Sequence, residues 1–291
     1  MRAIVGSASR AGLRETNGER SFGKVNASND NWFWRPIGGL IGSVAGVLLG
    51  LLAWLALGGV AGSLVLLVGM IVVCIALYVV AGHTTGARVG GELMPGILLG
   101  FNAGLNAVLL AWIVVPVAAV VVVVLLPAWI SAVARNDVYQ AVLGWSNFVL
   151  PMSWIVTGLG LAMTLVSLLL WGVTGGRVRF LNVNSLPVDW KTGTFFLAGG
   201  LAGNANLRAG SPGYNMGNWA FLRGDATVDA ELTEHEAGHG LNLAAFGWVF
   251  HFIGAIDENV TGGHENAYSE KFAESNVPAS THPTLPLWGG T

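Results

Sequence analysis

Four long apolar segments constrain this chain more than any other feature of its sequence. They cover residues 37–58, 60–81, 105–126 and 152–173. Each is long enough for a helix to cross a bilayer, which takes about 20 residues. Only 10% of the 291 residues are charged, whereas a soluble domain carries about 25%. We therefore expect a multi-pass integral membrane protein whose main partner is a lipid bilayer.

The polar residues are concentrated towards the two ends of the chain. Residues 1–35 are predicted to be a flexible N-terminal tail, and residues 36–175 contain the four spans. After residue 175 charged and turn residues return, and residues 176–291 are long enough for one small domain. Alternating polar and apolar residues there predict short strands beside helices. The expected fold is a membrane α-helical region of about four transmembrane helices, followed by a small α+β domain.

Lysine and arginine are distributed unevenly around the spans. The N-terminal tail, the loop with Arg88 and the residues after the fourth span together hold more of them than the loop with Arg135. Because basic residues favour the cytoplasmic side, both termini are predicted to be cytoplasmic. The net charge is −2, so nothing indicates a nucleic-acid partner.

Glycines recur at every fourth position of the first span. They are Gly38, Gly42, Gly46 and Gly50. This spacing puts a smooth groove on one helix face, where another helix can approach closely. We expect another helix to pack against this face. That helix could belong to a second copy of the chain, which would make the protein self-associate. The alternative is that the spacing only reflects the abundance of glycine, of which the chain has 42.

The segment with the clearest chemical meaning is His235-Glu236-Ala237-Gly238-His239. On a helix, two histidines four residues apart lie on one face, one turn apart, where both can reach the same metal ion. Glu236 lies beside them, where it can take a proton from a water at the metal. The acids within residues 225–231 favour a helix start, and Gly247 favours its end. This is the HExxH pattern of zinc hydrolases, which predicts a Zn²⁺ site.

A zinc site of this kind needs a third protein ligand. The best candidate lies in a second predicted helix, residues 266–275, where Glu270 and Glu274 are again one turn apart. We expect Glu270 to bind the metal and Glu274 to hydrogen-bond a ligand histidine, His235 or His239, and so fix its tautomer. His251 is a weaker candidate, because a histidine within an apolar segment is more often a core or interface residue.

This arrangement resembles the gluzincin metallopeptidases, in which the third ligand is a glutamate on a second helix and an acid four residues later supports a ligand. More narrowly, residues 216–222, the HExxH segment, Phe246-Gly247 and Tyr268-Ser269-Glu270-Lys271 look like a group of small bacterial HExxH domains, often found at the end of membrane or toxin-like polypeptides. The resemblance covers residues 190–280. It implies a zincin-like domain and a peptide or protein substrate, which an edge strand over residues 216–222 would hold by backbone pairing.

The expected reaction is metal-assisted hydrolysis of a peptide bond. Zinc held by the three ligands would lower the pKa of water towards about 7 and polarise the scissile carbonyl. Glu236 would accept the proton and pass it to the leaving amine. The developing oxyanion also needs a hydrogen-bond donor, for which Tyr268 and His264 are the candidates.

Three other interpretations stay open. In a toxin-like effector, the glycine-rich helices would insert into a target membrane and deliver the same enzyme. A non-enzymatic packing or pore module would carry a degenerate zinc domain. An intramembrane protease would need the HExxH segment inside a span. The five acids within residues 225–236 disfavour that last interpretation, because carboxylates are costly in lipid.

Overall fold

The computed structural model describes residues 34–84, 92–111, 134–180, 187–204, 211–261, 263, 265–278, 280–285 and 287–288. Most of the predicted N-terminal tail lies outside these residues, as do His264 and residues 112–126 of the predicted third span. Trp34 and Arg35, which we assigned to the tail, already belong to the first helix.

The first part of the described chain is helical. Helix α1 is Trp34–Leu51 and continues as a π-helical turn, Leu52–Leu57, while α2 is Gly59–Val79 and continues as a second π-helical turn, Val80–Thr84. Helix α3 is Leu93–Ala111, α4 is Asp137–Ser146, and α5 is Trp154–Thr174, which follows the 3-10 turn Pro151–Ser153.

The second part combines a small mixed sheet with further helices. The strands are β1 (Val178–Phe180), β2 (Val188–Asp189), β3 (Thr194–Gly199), β4 (Gly213–Met216) and β5 (Trp219–Leu222). The helices are α6 (Gly200–Asn204), α7 (Ala230–Val260) and α8 (Tyr268–Glu274). Within the described residues the strand order is β1-β3-β5-β4, with β2 also paired to β3. The pair β3–β5 is parallel and the other pairs are antiparallel.

The position of β5 corrects one expectation. Residues 216–222 were predicted to form an edge strand, but β5 lies between β3 and β4, inside the sheet. The outer strand is β4, which comes just before it in the chain. All four residues of β5 are buried, as expected for a strand that is covered on both sides.

Several described helices are long and apolar enough to cross a membrane, in agreement with the expected membrane protein. They cover Trp34–Leu57, Gly59–Gly82, Leu93–Ala111, Pro151–Thr174 and Ala230–Val260. The first, second and fourth correspond to predicted spans. Large apolar side chains such as Leu40, Val60 and Leu169 point outward from α1, α2 and α5, where lipid tails would cover them.

A helix with the length and apolar character of a span begins before the third predicted span, most of which lies outside the described residues. We predicted its start at residue 105, whereas α3 begins at Leu93. From the sequence, Asn102 and Asn106 are expected to hydrogen-bond a neighbouring helix or to line a polar cavity. Both asparagines are buried and form hydrogen bonds inside the bundle, so their polar groups are not exposed to lipid.

The glycine face of α1 packs against a second glycine face on α3. Gly38, Gly42 and Gly46 lie opposite the backbone of α3, and Gly96, Gly100 and Gly104 lie opposite the backbone of α1. A Cβ atom at any of these six positions would overlap the facing backbone. The contacts advance in the same direction along both helices, so α1 and α3 are parallel. The face that we considered for self-association is therefore covered by α3 of the same chain.

Helix α7 bends at Gly247, whose φ of 82° interrupts the helical backbone. A bend of this kind withdraws N–H groups from carbonyls of the preceding turn. The side-chain amide of Asn102 donates to two of these carbonyls, to Ala244 at 3.0 Å and to Ala245 at 2.9 Å. Asn106 Nδ2 donates in turn to Asn102 Oδ1 at 3.2 Å. The two asparagines of α3 thereby hold the bend in place.

The rest of α7 is built into the helical bundle. Phe246 and Phe250 share a buried cluster with Tyr78 of α2 and Leu99 of α3, and Val249 belongs to a second cluster with residues of α2 and α3. We expected the HExxH helix to lie after the last span. Helix α7 follows α5 in the chain and is itself long and apolar enough to cross a membrane, so its position relative to the bilayer stays a prediction.

The acids that argued against this position are concentrated near the start of α7. Asp225 and Asp229 precede the helix, and Asp229 caps it by accepting the Leu232 N–H at 2.9 Å. Glu231 is in its first turn and is exposed. Asp257 and Glu258 lie near the other end of the helix, so the cost of carboxylates in lipid applies to both ends of α7 rather than to its apolar middle.

Replacing Gly100 by alanine should separate α1 from α3. The new Cβ would overlap the carbonyl oxygen of Gly39, and overpacking of this kind costs about 1–3 kcal/mol. We expect a lower midpoint of thermal unfolding for the full chain in detergent, followed by circular dichroism.

Gly158→Ala is the matched control, because nothing lies within 4 Å of a Cβ atom at this position of α5. Alanine there should leave the midpoint unchanged or raise it, since a helical glycine costs about 1 kcal/mol relative to alanine. An equal loss of stability in both variants would show that close packing of α1 on α3 is not what Gly100 provides.

Candidate metal centre

His235, His239 and Glu270 come together at one point of the fold. The two histidines lie one turn apart on α7, and Glu270 lies in the first turn of α8. Their Nε2 atoms are 3.1 Å apart, and each is 3.3 Å from Glu270 Oε2. These three residues form a group that could hold a metal ion. The ligands proposed from the sequence thus converge although α7 and α8 are separated by a loop.

The distances between these atoms suit a tetrahedral ion. Tetrahedral ligands at about 2.0–2.1 Å from an ion lie about 3.3 Å from one another. The observed separations of 3.1 and 3.3 Å are close to this value. The three residues also line a cavity of about 670 Å³, so a fourth position at the ion would face the space that a substrate could occupy.

Glu274 holds one of the ligand histidines in place. His235 Nδ1 lies 3.0 Å from Glu274 Oε2, and a proton on Nδ1 leaves Nε2 with the lone pair that a metal needs. Ser280 donates a hydrogen bond to the other oxygen of Glu274. Glutamate at this position therefore reaches the ring of His235, whereas our prediction left open whether it would support His235 or His239.

Glu236 lies on the cavity wall next to strand β4. It is buried, and a Cβ atom at Gly213 would lie only 3.0 Å from its Oε1. Asn215, two residues further along the same face of β4, donates from Nδ2 to the backbone carbonyl of Glu236 at 2.9 Å. The outer strand is thus held directly against the residue that we expect to move the proton.

His251 lines the same cavity from the second half of α7. Its Nε2 donates to the backbone carbonyl of Asn215 at 3.1 Å, and its ring centre lies 6.4 Å from that of His239. The bend at Gly247 brings His251 back towards the metal position. The group of described atoms that could hold a metal ion contains Glu270 and not His251. Asn215 links β4 to both halves of α7.

Tyr268 is placed differently from our prediction of an oxyanion donor. Its ring packs in the core against Tyr78, Phe250 and Phe272 and is not among the described residues that line the cavity. Burial raises the pKa of the Tyr268 phenol well above its ordinary value, as expected for a neutral core residue. His264, the other predicted donor, lies outside the described residues.

Sequence analysis missed parts of the site that lie far from the HExxH segment in the chain. Residues 211–215 line the cavity, as does His282. The hydroxyl of Tyr214 donates to the Ala202 carbonyl at 2.7 Å, and burial raises its pKa to about 12. The sequence of β4 offered no signal, because its buried residues are Gly213 and Asn215 whereas Tyr214 and Met216 are only partly buried. Nothing in the local sequence marks His282 either.

Comparison with protein-family models, with curated proteins and with solved structures found no match to this chain. The resemblance to gluzincin metallopeptidases therefore rests on the motif residues alone. The function has to be argued from the geometry of the site.

Glu274→Ala should weaken metal binding although Glu274 is not one of the three proposed ligands. His235 would lose the acceptor that orients its ring, and the loss of such a partner costs about 10–100-fold in metal affinity. The measurement is the Zn²⁺ dissociation constant of the full chain in detergent, determined by competition with a fluorescent chelator.

Asp225→Asn is the control, because it removes one carboxylate charge from an exposed residue that belongs to neither group of described residues able to hold a metal ion. It should leave the dissociation constant nearly unchanged, since exposed charges are well screened. If both variants bind zinc equally weakly, the loss reflects total charge and not the hydrogen bond to His235.

Proposed function

We propose that this chain is a membrane-anchored, zinc-dependent metallopeptidase. The observation that carries the proposal is the convergence of His235, His239 and Glu270 within 3.3 Å of one another, beside Glu236. Two imidazoles and one carboxylate suit zinc, and catalytic zinc sites use three protein ligands so that one position stays open. The hydrogen bond from His235 to Glu274 adds the support that such ligands usually have.

Glu236 is the catalytic residue of the proposed reaction. Zinc, when bound, supplies a Lewis acid that lowers the pKa of water and polarises the scissile carbonyl. The carboxylate of Glu236 takes a proton from the attacking water and delivers it to the leaving amine as the C–N bond breaks. Glu274 is a positioning residue, because it acts only through His235.

The outer strand β4 supports a peptide as the substrate. An extended peptide can add to the edge of a sheet through backbone hydrogen bonds, which hold the chain without requiring one sequence. Residues 211–215 place this edge on the cavity wall. The carbonyls of Gly213 and Asn215 already accept from Ser211 Oγ and His251 Nε2, so a peptide that pairs with this edge would share or displace these donors as it runs past Glu236.

The length and apolar composition of α7 favour a second proposal, in which the same hydrolysis takes place within the membrane. Because α7 is long and apolar enough to span a membrane, peptide bonds could be cleaved at or below the bilayer surface. Cleavage of a soluble protein such as casein would support the first proposal. Cleavage only of a helical peptide embedded in the same micelle would support the second. A toxin-like effector would use the same residues in a different cell.

Glu236→Gln should abolish hydrolysis while keeping the metal. Glutamine has nearly the same shape but cannot accept the proton, and loss of a general base costs about 10²–10⁴-fold in rate. The assay is cleavage of labelled casein and of a micelle-embedded helical peptide by the zinc-loaded full chain, with zinc content determined by elemental analysis.

His239→Ala is the matched comparison, since it should lose both zinc and activity. A chelator should inactivate the parent protein, and added zinc should restore it. If Glu236→Gln cleaves as fast as the parent, Glu236 is not the general base. A zinc-loaded parent that cleaves neither substrate would instead support the non-enzymatic module.

A further inference from the structure

Helix α8, which carries Glu270, begins without a side-chain cap of its own. Ala267 occupies the N-cap position and forms no side-chain hydrogen bond to the helix. The first N–H groups of a helix have no partner within the helix. A helix of seven residues is also too short to be stable by itself. Groups from other parts of the chain must therefore hold its first turn.

Those groups come from α2 and α7. The Tyr268 N–H donates to Asp257 Oδ2 at 2.9 Å, and the Ser269 N–H donates to the hydroxyl oxygen of Tyr78 at 3.1 Å. The Tyr78 hydroxyl donates in turn to Asp257 Oδ2 at 2.7 Å. Tyr78 and Asp257 thus cap α8 together, and the two N–H groups that they bind immediately precede Glu270.

The environment of Tyr78 gives its hydroxyl a well-defined position. The residue is 1% exposed, and its ring packs against Phe250 at 5.1 Å and Tyr268 at 5.4 Å between ring centres. Tyr78 lies near the end of α2, 191 positions before Ser269 in the chain. A helix with the length and apolar character of a membrane span therefore contacts the first turn of the ligand-bearing helix.

We propose that Tyr78 is a positioning residue for Glu270, so that helix α2 forms part of the metal centre. The inference rests on the metal site of the proposed function. Without the hydroxyl, the Ser269 N–H loses its acceptor and Asp257 loses one donor, so the first turn of α8 is free to shift. Glu270 then no longer stays at bonding distance from the two imidazoles, while the aromatic packing of residue 78 is kept.

Tyr78→Phe tests this role, because it removes only the hydroxyl. The Zn²⁺ dissociation constant of the full chain in detergent should rise about 10-fold, the scale of other indirect supports of metal ligands. Tyr139→Phe is the matched control: it removes a hydroxyl from a buried tyrosine of α4 in the same core cluster. Its zinc affinity should equal that of the parent.

The unfolding midpoint of the zinc-free protein separates positioning from general stability. If Tyr78 were merely structural, Tyr78→Phe would lower this midpoint and leave the zinc affinity of the folded protein unchanged, which would overturn the proposal. Asp257→Asn changes the other residue that caps α8, the one on α7. The double variant should bind zinc no more weakly than the weaker single variant, because both changes act on one turn of α8.

The outcomes distinguish this inference from the proposed function. If the parent binds zinc, His239→Ala does not, and Tyr78→Phe binds as tightly as the parent, the metal centre stands and the role of Tyr78 is refuted. If the parent shows no zinc binding that depends on His239, the proposed function fails and the inference fails with it.

Discussion

An apolar bundle accepts a bent helix only where the carbonyls at the bend find new donors. The Asn102 amide meets this requirement for Ala244 and Ala245, and the rest of the site depends on the result. Before the bend, α7 presents the HExxH residues beside β4 and α8. After it, the same helix enters the core next to α2 and α3 and returns His251 to the cavity wall. One bend therefore joins the candidate chemistry to the bundle.

Three sets of contacts hold the candidate metal centre in place. Glu274 orients His235 from α8, Asn215 holds β4 to the backbone of Glu236, and the shared cap of Tyr78 and Asp257 fixes the start of α8. Each contact acts on a different group at the centre. Buried polar contacts of this kind are favourable only when each member is bonded, so they also restrict the fold to one arrangement.

The sequence predicted the relative position of two side chains correctly where they lie one helical turn apart. Four-residue spacing placed His235 with His239 and Glu270 with Glu274 on shared faces, as the structure shows. The same rule explains why Tyr268 does not reach the cavity: two residues correspond to about 200° around a helix, so Tyr268 points away from the side of Glu270. Its place in the core follows from the helix geometry that brings Glu270 to the metal position.

Contacts between distant segments could not be inferred in this way. Tyr78 looks like any aromatic residue in an apolar span, and its role is visible only once Asp257 and Ser269 are beside it. Asn102 was expected to bond a neighbouring helix or line a polar cavity, but its partners, the carbonyls of Ala244 and Ala245, lie more than 140 positions away and could not be named from the sequence. The position of β4 at the edge of the sheet depends on the strand order, which the residues of one strand do not determine.

The parallel contact of α1 with α3 has a consequence for assembly. The two helices touch through their glycines, although α2 lies between them in the chain. If α1 and α2 enter a bilayer before α3, the glycine face of α1 contacts lipid acyl chains. When α3 packs against this face, it replaces the lipid there. Because Asn102 of α3 bonds the carbonyls at the bend of α7, the candidate ligands would come together only after that packing, and a metal ion would bind late in assembly.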